Sequence, residues 1–110
     1  MGPFVVVYVT VGSVEEGEKL AAALVEERLA ACVNRVGPIR STYRWEGKLE
    51  RSEEELLVIK TRKDLFDALK RRVQELHSYS VPEIIALPIV DGSESYLRWL
   101  EEETRGEKKK

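Results

Sequence analysis

A strand followed by the start of a helix is encoded in residues 4–16, which read FVVVYVTVGSVEE. Residues 4–11 are β-branched or aromatic with almost no polar alternation, a pattern typical of a strand that is covered or paired on most sides. Gly12 ends this run, and Ser13 with Glu16 forms an S-x-x-E capping box, which satisfies unpaired amides at a helix start. The sequence therefore predicts a central strand that leads directly into a helix.

The pattern downstream predicts a long hairpin. The first helix is expected to continue to about Ala30, with one apolar face toward the sheet. A strand-like pattern then covers residues 31–45, interrupted by Gly37-Pro38, a pair typical of a bulge or bend. Glu46-Gly47 predicts a tight turn, and residues 53–61 supply the antiparallel partner strand. This hairpin is longer than a small core requires.

The last third of the chain predicts two more helices and a strand. A second helix is expected to start near residues 61–64 and to end before Pro82, because its apolar residues recur at helical spacing. Residues 84–90 predict a fourth strand, in which Pro88 has to lie at an edge or a bulge. Ser93 is expected to cap a last short helix.

The order strand, helix, strand, strand, helix, strand predicts an α+β, ferredoxin-like βαββαβ fold, with a long hairpin and a short C-terminal helix. It places both main helices on one face of an antiparallel sheet. Residues 1–104 are expected to form one domain, and residues 105–110 a charged, frayed tail. The other sheet face stays uncovered and the hairpin has free edges, which favours aggregation unless other chains cover them. Homo-oligomerisation is therefore expected from the topology.

The composition argues against several classes of protein. The chain has 110 residues, 35% of them charged, and a formal net charge of −2, so it lacks the positive field that attracts nucleic acids. Its N-terminal apolar run is shorter than the roughly 20 residues that cross a bilayer, and no export signal frames it. We therefore predict no nucleic-acid partner, no membrane partner and a cytoplasmic protein. The intermixed charges fit a thermostable surface and equally fit ordinary solvated helix faces.

Four separated motifs occur in order along nearly the whole chain. They read ERLAACVN (27–34), STYRWEGK (41–48), KT (60–61) and LHSYSVPEI (76–84). Together they resemble the signature of the CutA family of divalent-cation tolerance proteins. The resemblance implies a homotrimer whose hairpins embrace neighbouring subunits, a role in tolerance of divalent metals such as copper(II), no required cofactor and no established reaction. It also implies a likeness to PII-type signalling trimers, which bind small ligands between subunits.

The candidate metal ligands are His77 and Glu83. His77 is the only histidine, and imidazole is the side chain here best suited to copper or zinc. No CxxC, HxH or HExxH spacing is present, so a strong site needs several subunits or carboxylates such as Glu83. A structural role for His77 is the alternative. Some bacterial members of the family carry a second histidine and a cysteine where this chain has Leu76 and Val9, which implies a weaker copper site or none.

Six further residues are candidates for an intersubunit cleft. Cys32 is interpreted mainly as a buried core thiol. Tyr43 and Trp45 lie two apart and share a strand face, where they line a cleft or pack against a neighbour. Lys60 with Glu83 either binds an anionic or zwitterionic ligand or forms an interface ion pair. The full set is Cys32, Asn34, Tyr43, Trp45, Lys60 and Tyr79.

An enzymatic function finds little support in these patterns. An acylphosphatase-type enzyme would need a phosphate-binding loop with an arginine after the first strand, but residues 11–14 contain none. No Ser/His/Asp or Cys/His arrangement is discernible. These absences predict a non-enzymatic protein. The resemblance to the CutA family adds the trimer and the copper-type divalent metal, so the predicted function is a non-enzymatic, trimeric, copper-type divalent-metal-binding protein. PII-like binding of a small ligand is the alternative.

Overall fold

The fold is described by a computed structural model over residues 3–105. The predicted tail therefore lies, apart from Arg105, outside the described residues. In chain order the elements are β1 (Phe4–Val11), α1 (Val14–Glu26), β2 (Cys32–Trp45), β3 (Lys48–Arg62), a 3₁₀ turn (Lys63–Leu65), α2 (Phe66–Leu76), β4 (Ile84–Pro88) and α3 (Glu94–Glu103).

A four-stranded antiparallel sheet of order β2-β3-β1-β4 forms the centre of the molecule. β1 lies between β3 and β4, where Val7 pairs with Ile59 on one side and Ala86 on the other. The predicted central strand and ferredoxin-like topology are confirmed. Pro88, which has no backbone N–H, lies at the end of edge strand β4, as predicted.

The main core lies between one sheet face and helices α1 and α2. Alternate residues of β1 point to this face, and Val7, Val9 and Val11 are fully buried there. Burying one such side chain stabilises a fold by about 1.5–3 kcal/mol. The helices contribute Leu20, Leu24, Leu69 and Val73 to the same cluster. Both main helices therefore cover one face of the sheet, as the topology predicted.

The opposite sheet face, here called the open face, is apolar and only partly covered. α3 packs over one end of it, where Leu97 and Leu100 form a buried cluster with Phe4 and Ala31. Along the rest of the sheet the strand alternation and register place these residues on it: Val6, Tyr8, Leu56, Val58, Ile85 and Leu87. Ile85 is 50% exposed and Leu87 is 41% exposed.

Helix α1 ends earlier than predicted, at Glu26 rather than near Ala30. Arg28 adopts a positive φ of 62°, its amide donates to the Val25 carbonyl, and the Leu29 amide donates to the Leu24 carbonyl. These bonds form a Schellman motif, which closes a helix end. The sequence pattern missed it because glycine usually occupies the left-handed position and arginine occupies it here.

Three other boundaries also differ from the prediction. β3 extends in both directions beyond residues 53–61, because the whole hairpin arm is paired. α2 begins only at Phe66, because β3 continues to Arg62 and a 3₁₀ turn follows it. β4 stops at Pro88 instead of Val90, although the Ile89 amide still donates to the Phe4 carbonyl.

The predicted bulge in the hairpin is confirmed. Val36 pairs with Leu56 and Ile39 pairs with Glu54, so β2 contains one extra residue at Gly37-Pro38. Because side chains alternate along a strand, this extra residue changes which β2 residues face which side. Beyond the bulge, the odd-numbered residues Ser41, Tyr43 and Trp45 share the open face with Glu54.

Candidate functional site

A cleft of about 600 Å³ lies between the hairpin arm and the loop that follows α2. It is called the hairpin cleft here. Three aromatic side chains and two carboxylates define its character, together with hydroxyl groups and one valine. Its lining residues are Thr10, Ser41, Thr42, Tyr43, Trp45, Glu54, Tyr79, Ser80, Val81 and Glu83.

Glu54 and Tyr79 form the inner wall of the hairpin cleft. Glu54 is only 9% exposed, and its Oε2 accepts a hydrogen bond of 2.8 Å from the Tyr79 hydroxyl. Burial and then this bond to Glu54 raise the pKa of Tyr79 above its ordinary value, so the phenol stays a neutral donor. Among the hydrogen bonds of residues 3–105, none involves Glu54 Oε1. Every fully buried side-chain oxygen in this range has a hydrogen-bond partner. Because Glu54 Oε1 has no partner, it is accessible to solvent.

The outer wall of the hairpin cleft comes from the hairpin arm. Tyr43 and Trp45 are 42% and 44% exposed, and the Tyr43 hydroxyl lies 3.4 Å from Ser52 Oγ. Glu83 is exposed at the cleft, directly after Pro82. The predicted residues Tyr43, Trp45, Tyr79 and Glu83 therefore line one cavity within a single subunit.

His77 lies under this wall, buried, with no exposed side-chain surface. Its Nε2 lies 2.8 Å from the Thr10 carbonyl oxygen, which can only accept, so Nε2 carries the proton. Its Nδ1 accepts the Tyr79 amide at 3.0 Å. Both ring nitrogens are therefore occupied and no lone pair is free for a metal ion. This geometry favours the structural role that was the alternative for His77, and its role as a metal ligand stays a prediction.

Glu16 ties the start of α1 to the same loop. Ser13 Oγ accepts the Glu16 amide, which confirms the predicted N-cap, but the Glu16 carboxylate does not complete the capping box. It accepts instead from the amide and hydroxyl of Ser78, at 2.8 and 3.1 Å. Burial raises the pKa of Glu16, but the hydrogen bonds from Ser78 outweigh it, so the pKa lies below its ordinary value.

The other three predicted cleft residues lie elsewhere on the open face. Cys32 pairs in register with Lys60, and the Lys60 ammonium donates to Asn34 Oδ1. Lys60 and Glu54 are six residues apart on β3, which corresponds to about 20 Å. Cys32 is half-buried on this face rather than in the core, which corrects the interpretation as a core thiol. Within one subunit, Lys60 pairs with Asn34 and is remote from the hairpin cleft that Glu83 lines.

The described residues do not form a metal centre within one subunit. Across residues 3–105, no group of three or more histidine, cysteine, aspartate or glutamate side chains is placed to hold an ion. His77 and Glu83 are not brought together as ligands, because His77 is sealed beneath the wall that Tyr79 forms. Within residues 3–105 of one subunit, the placement of these side chains does not fit a copper site.

Comparison with known proteins decides the family. The model of the CutA1 divalent ion tolerance protein family matches residues 5–103. The chain belongs to the CutA family. This agrees with the resemblance found in its motifs. The divalent-cation tolerance protein CutA of Thermus thermophilus is 54% identical over 99 residues, covering 90% of this CutA chain and 96% of that protein.

Solved CutA structures share the fold. A crystal structure of CutA1 from Oryza sativa superposes with a TM-score of 0.92 at 53% identity, covering 96% of each chain. The solved structure of the divalent cation tolerance protein from Thermus thermophilus superposes with a TM-score of 0.91 at 52% identity, covering 93% of this chain and 99% of that one. The α+β architecture described above is therefore the CutA architecture.

The relatives come from different compartments. A chloroplastic CutA protein of Arabidopsis thaliana is 55% identical over 103 residues, 94% of this chain, but the match spans only 57% of that protein's length. A solved relative from Archaeoglobus fulgidus is described as periplasmic. Cytoplasmic location of this CutA chain stays a prediction. Within residues 3–105, no helix is both long and apolar enough to cross a bilayer.

Sequence patterns missed Glu54, the most buried acid of the hairpin cleft in this CutA chain. It lies in Glu53-Glu54-Glu55, a run that reads as solvated charge. In the fold, Glu54 contacts Tyr79, while Glu55 points to the opposite face and pairs with Arg35 at 2.9 Å. The alternation of a strand was the available signal, because adjacent acids on one strand cannot share an environment.

Proposed function

We propose that this chain is a non-enzymatic, homotrimeric divalent-cation-binding protein. Its proposed role is in divalent-cation tolerance, the term that the names of several relatives contain. The observation that carries the proposal is the apolar open face, because it calls for further copies of the chain. The number three follows from the family resemblance. The cation is cargo rather than a resident cofactor.

Self-association is supported by what the open face exposes. Ile85 and Leu87 project from edge strand β4 and are about half exposed in one subunit. Each square ångström of such surface removed from water contributes about 25 cal/mol. The outer edges of β2 and β4 add unpaired backbone groups, which another chain can satisfy. A second or third copy therefore stabilises the subunit where α1 and α2 do not reach.

The ligands of the cation are proposed to be carboxylates contributed by more than one subunit. The hydrogen bonds of both ring nitrogens argue against His77 as a ligand in this conformation. Glu83, the other predicted metal ligand, is exposed at the hairpin cleft and remains available to a cation. Oxygen ligands hold hard divalent cations well and copper less selectively than imidazole or thiolate. Carboxylate ligands therefore favour the general proposal of divalent-cation binding over the specific prediction of copper binding.

A non-enzymatic role is supported by the chemistry of the same residues. A general base has to reach the proton that it removes, whereas His77 has no exposed side-chain surface. The loop after β1, which a phosphatase of this topology would use, presents Gly12 and Ser13 without an arginine. The acylphosphatase-type alternative is therefore not supported.

Binding of a small organic ligand is the second candidate function. The hairpin cleft encloses about 600 Å³, far more than one metal ion occupies, and this volume lies within the usual range for small-molecule sites. This observation favours the PII-like alternative on the grounds of cavity size.

Light scattering followed by calorimetric titration with Zn(II) and Cu(II) tests the main proposal. We expect a mass three times that of the chain and a binding heat that Glu83→Gln lowers and His77→Gln leaves largely unchanged. A folded monomer without metal-binding heat would contradict the proposal. Heat that disappears only in His77→Gln would show that the imidazole is the ligand.

A further inference from the structure

We propose that the hairpin cleft binds a small organic cation, an ammonium or guanidinium group carried on an apolar body. This inference deepens the second candidate function by naming the class of its ligand. It requires the cleft to remain open in the assembled protein but does not require metal binding.

The charge of the cavity favours a cation. Two carboxylates line it, and among its lining residues in the described part of the chain there is no lysine or arginine. Glu54 is more than nine-tenths buried, and only one of its oxygens is used, by the Tyr79 hydroxyl. A buried carboxylate is costly unless it is paired, so Glu54 Oε1 is available to a positively charged donor. An anionic ligand would instead be repelled.

The aromatic side chains favour an organic cation over a metal ion. Tyr43, Trp45 and Tyr79 line the same cavity. Their ring faces attract alkylammonium and guanidinium groups and also provide apolar contact for the carbon atoms that carry them. A divalent metal ion needs several oxygen or nitrogen ligands, and no such group is assembled within residues 3–105 of one subunit.

The two walls of the cleft are proposed to contact different parts of the ligand. Glu54, held by Tyr79, provides the inner anionic contact, whereas Trp45 and Tyr43 form a half-exposed outer wall. Glu83 adds a second negative charge at the exposed side. A ligand with its charged group toward Glu54 and its apolar body against Trp45 satisfies both walls.

Benzylammonium and benzyl alcohol form a matched pair of probes, since they share the ring and differ in charge. Binding to the intact protein is followed by the fluorescence of Trp45 in a Trp99→Phe background. We expect benzylammonium to bind at least about tenfold more tightly than the alcohol, with an affinity that falls as salt is added. Equal binding of the two probes, or no binding of benzylammonium, would overturn the proposal.

Two variants assign the binding to named residues. Glu54→Gln keeps an oxygen for the Tyr79 hydroxyl but removes the charge, and is expected to weaken benzylammonium binding by roughly tenfold. Trp45→Leu keeps apolar contact but removes the indole, and is expected to weaken benzylammonium binding by roughly three- to tenfold. Because this variant lacks the reporter fluorophore, its binding is measured by calorimetry or NMR. Trp99→Leu, on α3 and outside the cleft, is the control. Unchanged affinity in both cleft variants would refute the assignment.

The proposed trimeric metal binding and the proposed binding of an organic cation can be disproved independently. Zn(II) is titrated into the same samples, with light scattering to report the mass. Amine binding by a protein that is monomeric or binds no metal would support this inference and contradict the proposed function. Metal binding without amine binding would overturn this inference alone.

Discussion

At the residue scale, Gly17 has a packing role that its position inside a helix does not suggest. Gly17 lies inside α1, where glycine normally weakens a helix by about 1 kcal/mol relative to alanine. A Cβ at Gly17 would overlap the Glu55 carboxylate, which is 9% exposed and held by Arg35 Nε at 2.9 Å. The glycine therefore makes room for a half-buried ion pair that joins β2 and β3 beneath α1.

Gly17→Ala is expected to destabilise the protein by about 1–3 kcal/mol, because the added methyl group displaces the Glu55 carboxylate from its hydrogen bonds with Arg35. In a Glu55→Ala background the same change should stabilise it by up to about 1 kcal/mol, since helix propensity favours alanine and outweighs the 3.3 Å contact that remains with Val11 Cγ2. Denaturant unfolding of the four proteins of this cycle measures both effects. The same sign in both backgrounds would refute the steric explanation.

Glu16 makes the stability of the folded protein depend on pH. Its pKa is lowered in the folded protein, so the stability it contributes is present above its unfolded pKa and is lost as pH falls through the lower folded value. We expect unfolding between neutral pH and about pH 3 to depend less steeply on pH in Glu16→Gln than in the unmodified protein. Glu15→Gln, at an exposed neighbouring position, is the control. Equal acid sensitivity of the two variants would contradict this assignment.

At the element scale, the hairpin is controlled by its turn and its bulge. Glu46 and Gly47 have φ angles of 50° and 81° in a two-residue connection between Trp45 and Lys48. Two positive φ angles are typical of a type I′ turn, which matches the twist of the strands it joins. The bulge lies at the other end of the arm and brings Tyr43 and Trp45 to the side of Glu54.

Substitutions in the turn should change the stability of the arm in opposite directions. Gly47→Ala is expected to weaken it by about 1 kcal/mol, because alanine disfavours positive φ. Glu46→Asn is expected to strengthen it by a few tenths of a kcal/mol, because asparagine tolerates this conformation better. Amide hydrogen exchange across residues 40–52 reports these effects directly. Faster exchange in Glu46→Asn would contradict the turn assignment.

At the scale of the whole molecule, the two faces of the sheet have different requirements. α1 and α2 cover the core part of one face, whereas α3 covers only an end of the other. The remaining apolar surface lies beside the hairpin cleft and the extended arm, and the subunit measures 48 × 28 × 22 Å. An elongated subunit with one uncovered face is expected to exist with its neighbours rather than alone.

Ile85→Glu tests this expectation, because it places a charge on the apolar open face at edge strand β4. We expect the assembly to dissociate or its thermal midpoint to fall, since a buried unpaired carboxylate costs several kcal/mol. Val14→Glu is the matched control, because Val14 is 57% exposed at the start of α1 on the other side of the sheet. Light scattering of both variants checks the result. An unchanged mass and midpoint in Ile85→Glu would show that this face is free.

Local patterns by themselves determined most of the fold. The valine run of β1, the Ser13 cap, the bulge at Gly37-Pro38 and the turn at Glu46-Gly47 each depend on the conformational preferences of neighbouring residues, which sequence displays directly. The family resemblance also came from motifs alone. Where local chemistry was atypical, as at Arg28, the boundary was missed.

Only the tertiary structure decided which of the candidate residues act together. His77 was the obvious ligand in the sequence, yet the Thr10 carbonyl and the Tyr79 amide, one of them 67 residues away, occupy both its nitrogens. Glu54 looked like solvated charge, yet it forms the wall of a cavity. Burial and hydrogen-bond partners are set by residues distant along the chain, so no local pattern could reveal them.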